Sequence, residues 1–234
     1  MHANVRARIR LCDAGSVTTP RTGLRERKKE TTRKALREAA LRLALERGPD
    51  NVRVDDIADA AGVSPRTYNN YFSSREQAIV AAVTAEREAR VAAAVAGRPA
   101  TDRLSEVVTE AIVEQYTDPG SHDPRALLLI TSSPALRDAF LGTAAGIEHP
   151  LATVIAQRIG DTGQITARVL AASVAAAVRI ALGQWTRPAA GSPSASGLVT
   201  VSGSLPDLLR TALAPLGPAL DAAGEQPQRQ TGQP

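Results

Sequence analysis

The sequence predicts an all-α fold with an N-terminal three-helix part and a larger, helical C-terminal part. Three observations support this prediction. Aromatic residues make up only 3% of the chain, so Ala, Leu, Val and Ile must fill the core, and Ala and Leu are strong helix formers. Apolar residues recur at helical spacing in most segments. Two short helical segments meet at Gly62, within a stretch that runs from Val54 to Phe72.

Composition excludes several classes of protein. Apolar residues make up 43% and charged residues 22% of the 234, as in ordinary globular proteins. The single Cys12 excludes an internal disulfide, and His2, His122 and His149 lack metal-ligand spacing, so we expect no metal or cofactor. No apolar run approaches the ~20 residues that span a bilayer, and the N-terminus lacks the apolar stretch of a secretory signal. We therefore expect a cytoplasmic protein that does not bind membranes.

Positive charge is concentrated early in the chain. Residues 1–95 contain 18 Lys and Arg against 12 Asp and Glu, whereas residues 96–234 contain 10 against 12. Residues 1–23 have no periodic apolar face, which predicts a flexible basic arm. The first helix follows and stops at Gly48-Pro49. Its basic start comprises Arg25, Arg27, Lys28, Lys29, Arg33 and Lys34. Because cations at a helix start oppose the helix dipole, phosphate neutralisation is a sufficient reason for them, although an idle solvated face remains an alternative.

The stretch Val54–Phe72, VDDIADAAGVSPRTYNNYF, predicts two helices joined by a tight turn. Gly62 ends the first helix, because glycine accepts a left-handed backbone without steric cost. Ser64 is a good N-cap and Pro65 is tolerated at the first helical position. The second helix, Pro65 to Tyr71, turns Tyr68 and Phe72 inward. Its outward residues suit base edges and phosphates, and they are Arg66, Thr67, Asn69, Asn70 and Tyr71.

This stretch resembles the helix-turn-helix of the TetR family of bacterial transcriptional regulators. The matching residues are Asp56, Ile57, Ala58, Ala61, Gly62, Val63, Ser64, Thr67, Tyr71 and Phe72. The resemblance implies a reading helix in the major groove of double-stranded DNA, with Arg66, Thr67, Asn69 and Asn70 nearest the bases. Phosphate contacts are expected from Arg25, Arg27, Lys28, Thr32, Arg53, Tyr71 and Arg75. The chain departs from the family pattern at Ala44, Pro49, Arg53 and Asn69.

The remaining sequence predicts further helices. Two overlapping capping boxes, Ser73 with Glu76 and Ser74 with Gln77, open a helix expected to run from about Ser74 to Val95. Helices are then expected over residues 101–116, 124–132, 135–159 with a break near Gly146 or Pro150, 164–185 and 204–220. Residues 186–202 are rich in Pro, Gly and Ser and predict a flexible loop. Residues 223–234 are polar and are expected to be a disordered tail.

The resemblance also implies how the parts are used. It implies a DNA-binding domain over residues 24–85 and an effector-binding and dimerisation domain over residues 86–222. Helices 164–185 and 204–220 are the candidates for a homodimer interface, and the C-terminal part is similar to members that bind acyl-CoA-like ligands. Low aromatic content favours an aliphatic, apolar small-molecule effector. Candidate pocket residues are Leu104, Val108, Ile112, Gln115, Leu128, Thr131, Phe140, Ile147, Val174 and Trp185. Gln115 and Thr131 are candidate polar anchors, and for the apolar residues a plain core role is the favoured alternative.

The leading function is therefore a homodimeric repressor that a small effector releases from a near-palindromic operator. Two other classes remain open. One is a helical enzyme with a pocket in residues 100–220, against which no nucleophile triad, phosphate loop or His/Cys cluster is visible. The other is a nonspecific chromosome-organising protein, which would bind DNA with steep salt dependence and no preferred sequence.

Overall fold

The computed structural model describes residues 21–117, 124–187 and 204–230. Within these ranges the chain is helical and has no β-strand, which confirms the all-α prediction. The helices are α1 (Arg21–Arg47), α2 (Val54–Ala60), α3 (Pro65–Tyr68), α4 (Arg75–Thr84), α5 (Arg87–Ala96), α6 (Leu104–Thr117), α7 (Pro124–Ser132), α8 (Pro134–Gly142), α9 (Glu148–Ile159), α10 (Ile165–Trp185), α11 (Leu205–Leu213) and α12 (Gly217–Gln230). Short 3₁₀ turns occupy Pro49–Asn51, Thr143–Ile147 and Ala214–Leu216.

Helices α1, α2 and α3 enclose a small core, and α4 completes it by packing against α1. On α1, Leu36, Ala40 and Leu43 are buried at helical spacing, as their apolar stripe predicts. They meet Ile57 of α2 and Ile79 of α4, both fully buried. Helix α1 packs on both α2 and α4, and α3 packs on α2, so α3 is attached to a scaffold of packed helices.

The predicted single helix from Ser74 to Val95 is broken in two, which corrects that expectation. Helix α4 ends at Thr84, and Glu86 adopts a left-handed backbone with φ of 65° before α5 begins at Arg87. The carbonyl of Ala85, freed by the break, accepts a hydrogen bond from Arg90 Nη1 at 3.3 Å. The break lets α4 pack on α1 and α8 while α5 packs on α6 and α9.

Helix α10 is the centre of the C-terminal part. It packs against α9 on one side and α11 on another, and its buried residues include Leu170, Val174 and Leu182. The expected break between residues 135 and 159 is the 3₁₀ turn Thr143–Ile147. The expected loop at 186–202 lies outside the described residues, apart from Thr186 and Arg187.

The end of the chain differs from its prediction. Helix 204–220 is interrupted because Pro215 lacks an N–H, and α12 restarts at Gly217 and runs to Gln230, where a disordered tail from residue 223 was expected. The carboxylate of Asp221 accepts the backbone N–H of Ser105 at 3.0 Å and pairs with Arg103, which ties α12 to the start of α6. Residues 231–234 lie outside the described residues.

The start of α1 also differs from its prediction. The helix begins at Arg21, so residues 21–23, expected in the flexible arm, are helical. Residues 1–20 of the arm lie outside the described residues.

Two described stretches are long and apolar enough to cross a membrane, Pro134–Ile159 and Ile165–Trp185. This corrects the expectation that no apolar run approaches that length. The first is interrupted by the turn Thr143–Ile147, and α10 is packed against α9 and α11, so length and composition also fit a central helix of a helical domain.

Candidate nucleic-acid interface

The angle between α2 and α3 is made by a glycine turn. Gly62 has a φ of 68°, in the left-handed region that glycine adopts without a Cβ penalty. Its N–H donates to the Asp59 carbonyl and the Val63 N–H donates to the Ala58 carbonyl, both at 3.0 Å. These two bonds satisfy carbonyls at the end of α2 and fix the direction in which the chain leaves the turn.

Helix α3 is short. Ser64 caps it, because Ser64 Oγ accepts the backbone N–H of Thr67 at 3.2 Å. The expected helix from Pro65 to Tyr71 ends at Tyr68. Beyond it the chain tightens into a turn, in which the Asn70 N–H donates to the Thr67 carbonyl at 3.1 Å and the Tyr71 N–H to the Tyr68 carbonyl at 2.8 Å.

Tyr68 anchors α3 to the scaffold. Its side chain is fully buried, its ring centroid lies 5.9 Å from that of Phe72, and its hydroxyl donates to the Ser74 carbonyl at 2.8 Å. Burial raises the pKa of Tyr68 to about 12, and the nearby Glu76 carboxylate adds to the shift. The phenol therefore stays protonated as a donor throughout the physiological range.

The predicted base-reading residues lie opposite this anchor. Arg66, Asn69 and Asn70 are exposed, and Thr67 is half-buried with its hydroxyl 2.9 Å from Ser64 Oγ. One turn of chain thus presents three exposed donors and acceptors on one side while Tyr68 fills the other. Thr67 is partly used by the cap, which leaves less of it available to a base.

The predicted phosphate-contact residues of α1 lie along its start. Arg25, Arg27 and Lys28 are exposed. Thr32 is half-buried, and its hydroxyl donates to the Lys28 carbonyl at 3.0 Å.

Arg53 and Tyr71 are also placed at the surface of this domain. Arg53 is exposed at the N-cap position of α2, where its backbone N–H donates to Asp56 Oδ2 at 3.0 Å. Asp56 therefore caps the helix end, and the Arg53 guanidinium is not needed for that purpose. Tyr71 is half-buried.

Arg75 is used inside the protein. Its Nη1 donates to the carbonyls of Asp50 and Val52 at 3.0 and 2.9 Å, and its Nε donates to Glu76 Oε1 at 2.7 Å. These bonds join the start of α4 to the turn that precedes α2. Although burial alone would raise the pKa of Glu76, its hydrogen bond from Arg75 holds that pKa below the usual value.

The predicted effector-pocket residues do not share one environment. Gln115 accepts a hydrogen bond from Arg90 Nε at 2.9 Å, Leu128 is exposed and Trp185 is half-buried. Thr131 is buried and its hydroxyl donates to the Leu127 carbonyl at 3.0 Å. The others are buried in the common core, namely Leu104, Val108, Ile112, Phe140, Ile147 and Val174.

The structure adds a residue that the sequence did not single out. Arg87, at the start of α5, has its guanidinium carbon 4.6 Å from the ring centroid of Tyr116 and 5.9 Å from that of Phe140. Its Nε and Nη1 are buried and have no hydrogen-bond partner. In the single helix expected from about Ser74 to Val95, nothing in the local sequence marks Arg87 as buried. Among the described residues, no group of three side chains could hold a metal ion.

A short helix with an exposed arginine, joined to α2 by a glycine turn and followed by a helical C-terminal part, is the arrangement of a helix-turn-helix transcriptional regulator. Residues 36–82 match the family described as bacterial regulatory proteins, tetR family, and residues 99–221 match the MftR C-terminal domain. The chain belongs to the TetR family.

Named relatives are also transcriptional regulators. The chain is 30% identical over 164 residues to the HTH-type transcriptional regulator TcmR of Streptomyces glaucescens. The aligned region covers 63% of this chain and 72% of TcmR. It is 38% identical over 80 residues to the HTH-type transcriptional regulator BetI of Rhizobium meliloti (strain 1021), covering 32% of this chain and 39% of BetI.

Two solved structures show a similar course of the chain. The TetR-family repressor FadR of Thermus thermophilus, in complex with lauroyl-CoA, is 21% identical with a TM-score of 0.46, covering 79% of this chain and 92% of that one. RolR in complex with resorcinol is 21% identical with a TM-score of 0.38, covering 87% of this chain and 96% of that one.

Proposed function

We propose that this regulator is a homodimeric repressor that binds a near-palindromic operator and is released by a small-molecule effector. One observation carries the proposal: in the turn from Pro65 to Phe72, Tyr68 is fully buried while Arg66, Asn69 and Asn70 are exposed. A surface that is rigidly anchored behind and rich in donors in front suits base edges in the major groove. The protein would act in the cytoplasm, where the DNA is.

Base reading is assigned to Arg66, Thr67, Asn69 and Asn70. Arginine can bind the O6 and N7 of guanine with two hydrogen bonds, and asparagine can do the same with N6 and N7 of adenine. Each such pair discriminates by about 1–3 kcal/mol against the wrong base. Thr67 is the weakest of the four, because Ser64 already occupies its hydroxyl.

Phosphate binding is assigned to the exposed cations at the start of α1, to Thr32, and to Arg53 and Tyr71. The α1 cations, Arg25, Arg27 and Lys28, would neutralise the DNA backbone and release counterions. Arg75 would act differently from its expected role. With its donors bound to Asp50, Val52 and Glu76, it would fix the position of α2.

The homodimer is assigned to the outward face of α10. Ile165, Val169 and Ile180 are 73%, 61% and 62% exposed, and with Ala172 and Ala176 they follow helical spacing along one face. A contiguous apolar stripe on a surface helix favours burial against a partner. The apolar side of α11 already packs on α10 and α6 of the same chain, so α11 would contribute to the dimer mainly through its remaining surface.

The DNA-binding test is a fluorescence-anisotropy titration of labelled duplexes tiled across the region around the protein's own gene. We expect one near-palindromic duplex to bind at least tenfold more tightly than scrambled DNA. Arg66→Ala should relax preference at one base position, whereas Arg27→Ala should weaken all sequences alike and reduce the salt slope by about 1. Arg98→Ala, which removes an exposed cation of the C-terminal domain, is the control. Equal binding of all duplexes by the wild type would contradict the repressor proposal.

The dimer test is sedimentation of Ile180→Glu at micromolar concentration. A buried, unpaired carboxylate on each side of the interface should leave the variant monomeric and reduce operator affinity. Gln157→Glu adds the same charge at an exposed position of α9 and should remain dimeric. A dimeric Ile180→Glu would contradict the assignment of α10 to the interface.

A further inference from the structure

Arg87 occupies the junction between the DNA-binding and C-terminal domains. It is the first residue of α5 and directly follows Glu86, whose φ of 65° marks the break after α4. Its guanidinium carbon lies over the rings of Tyr116 on α6 and Phe140 on α8, 4.6 and 5.9 Å from their centroids. The junction therefore holds a cation between two aromatic side chains.

This cation has no anionic partner in the described part of the chain. Nε and Nη1 of Arg87 are buried and have no acceptor, and no ion pair of Arg87 is formed with a described carboxylate. Burial lowers the pKa of Arg87, but a guanidinium remains charged at neutral pH. Buried charges are normally paired, and buried N–H donors normally have acceptors, so an orphaned one requires an explanation.

The neighbouring charged groups do not pair with Arg87. Arg90 donates to Gln115 Oε1 at 2.9 Å and to the Ala85 carbonyl at 3.3 Å. The carboxylate of Glu88 lies against the backbone of Gly146, where an added Cβ would overlap it. One unit of positive charge with unfilled donors is thus left at the junction.

We propose that Arg87 binds the head group of an anionic effector, a monocarboxylate with an apolar body. Carboxylate oxygens accept charge-assisted hydrogen bonds from a guanidinium, and the unfilled Nε and Nη1 of Arg87 each have an N–H to donate. A monoanion balances the single unpaired charge, and the aromatic rings of Tyr116 and Phe140 provide apolar surroundings for the carbon atoms next to the head group. This inference rests on the proposed effector-released repressor, and it names the chemical class of the effector.

The position of Arg87 explains how such an anion would influence DNA binding. Arg37 of α1, in the DNA-binding domain, pairs with Glu86 at 3.6 Å, and Glu86 is the residue next to Arg87. An anion that draws the Arg87 guanidinium toward itself would therefore act on the left-handed residue that sets the angle between α4 and α5. A ligand shifts such an equilibrium only through its different affinity for the two arrangements.

Calorimetric titration of the full-length protein without DNA tests the site. The probes are octanoate, octanamide and octyl phosphate, which share a chain length and differ in head group. We expect octanoate to bind about 10- to 100-fold more tightly than octanamide, as charge-assisted hydrogen bonds would require. Equal affinity for octanamide, or no binding of octanoate at millimolar concentration, overturns the proposal. Tighter binding of octyl phosphate shows a phosphate head group and overturns the carboxylate assignment.

Variants separate a ligand anchor from a structural cation. Arg87→Met should lose octanoate affinity about 10- to 100-fold while keeping or raising the melting temperature without ligand, because an unpaired buried charge is replaced by an apolar group of similar volume. Arg87→Lys should keep part of the affinity. Arg98→Met removes the same charge from an exposed position and should bind octanoate like the wild type. Unchanged octanoate affinity in Arg87→Met overturns the proposal. It is also overturned if Arg87→Met melts at a lower temperature than the wild type and the wild type does not respond to octanoate, because Arg87 is then a structural cation.

Operator release is measured separately by anisotropy. If octanoate binds through Arg87 and lowers operator affinity in the wild type but not in Arg87→Met, both the site and the effector function are supported. If octanoate binds through Arg87 without changing operator affinity, the anion site is supported and the proposed effector release fails. The two failures are therefore distinguishable.

Discussion

Tyr68 and Tyr71 lie three residues apart and should respond to the same substitution in opposite ways. Tyr68 is fully buried and its hydroxyl donates to the Ser74 carbonyl at 2.8 Å, whereas Tyr71 is half-buried and its hydroxyl has no partner among the described residues. Tyr68→Phe should therefore lower stability and leave the reading surface intact. Tyr71→Phe should lower DNA affinity and leave stability intact.

The magnitude for Tyr68→Phe follows from the hydrogen bonds of one carbonyl. Losing a buried partner costs about 1–3 kcal/mol when it leaves an acceptor unsatisfied. The Ser74 carbonyl also accepts the Ala78 N–H at 3.3 Å, so it keeps one partner. The cost should lie at the low end, about 1 kcal/mol, which corresponds to a fall in melting temperature of about 2–4 °C for a chain of this size.

Urea denaturation and operator titration measure the two effects. Both variants are compared with the wild type at one protein concentration, because the stability of a dimer depends on concentration. Tyr71→Phe should change stability by less than about 0.5 kcal/mol and weaken operator binding about tenfold, through a lost hydrogen bond to a charged phosphate. The reasoning is refuted if Tyr68→Phe weakens DNA binding while fully folded, or if Tyr71→Phe is the more destabilising of the two.

Three further predictions concern stability. Arg75→Ala should lower the free energy of unfolding, measured in urea, by about 1–3 kcal/mol, because the Asp50 and Val52 carbonyls lose a charged donor. A loss of DNA affinity without any change in stability would contradict this. Burial alone would raise the pKa of Asp221, but hydrogen bonds from the Ser105 N–H and Arg103 hold that pKa below its usual value. The ionised Asp221 therefore stabilises the fold at neutral pH, and this stabilisation is lost as pH falls through the lowered pKa. Asp221→Asn should therefore flatten the acid limb of a stability–pH curve, and an unchanged limb would argue against the contribution. Burial raises the pKa of Tyr116 to about 12, above its unfolded value, so Tyr116→Phe should lessen the loss of stability as pH rises above about 10, as followed by circular dichroism.

Much of the helix-turn-helix was predictable because its signals are local. The cap by Ser64, the left-handed Gly62 and the inward Tyr68 depend on partners within six residues, and the structure has all three. The helix ranges of the C-terminal part were predictable to a few residues for the same reason, since helical periodicity is a property of neighbouring turns.

The exceptions depended on residues far apart in the chain. Arg75 was considered only as a DNA contact, and nothing near it in the sequence indicates that its guanidinium binds a carbonyl 25 residues away. The polar end of the chain was expected to be disordered, yet Asp221 binds the Ser105 N–H, 116 residues earlier, and holds α12 on α6. Nothing in the sequence of residues 204–234 indicates that Asp221 binds the Ser105 N–H.

The sequence by itself determined the all-α fold and the turn between α2 and α3, because propensity, capping and turn chemistry act within a few residues. The tertiary structure decided where the helix after Ser74 breaks and what that break does to Arg87. Packing α4 on α1 and α5 on α6 requires different axes, and the left-handed Glu86 joins them. That turn of the chain places the Arg87 guanidinium among aromatic rings with unfilled donors, a consequence of packing between helices that no single segment encodes.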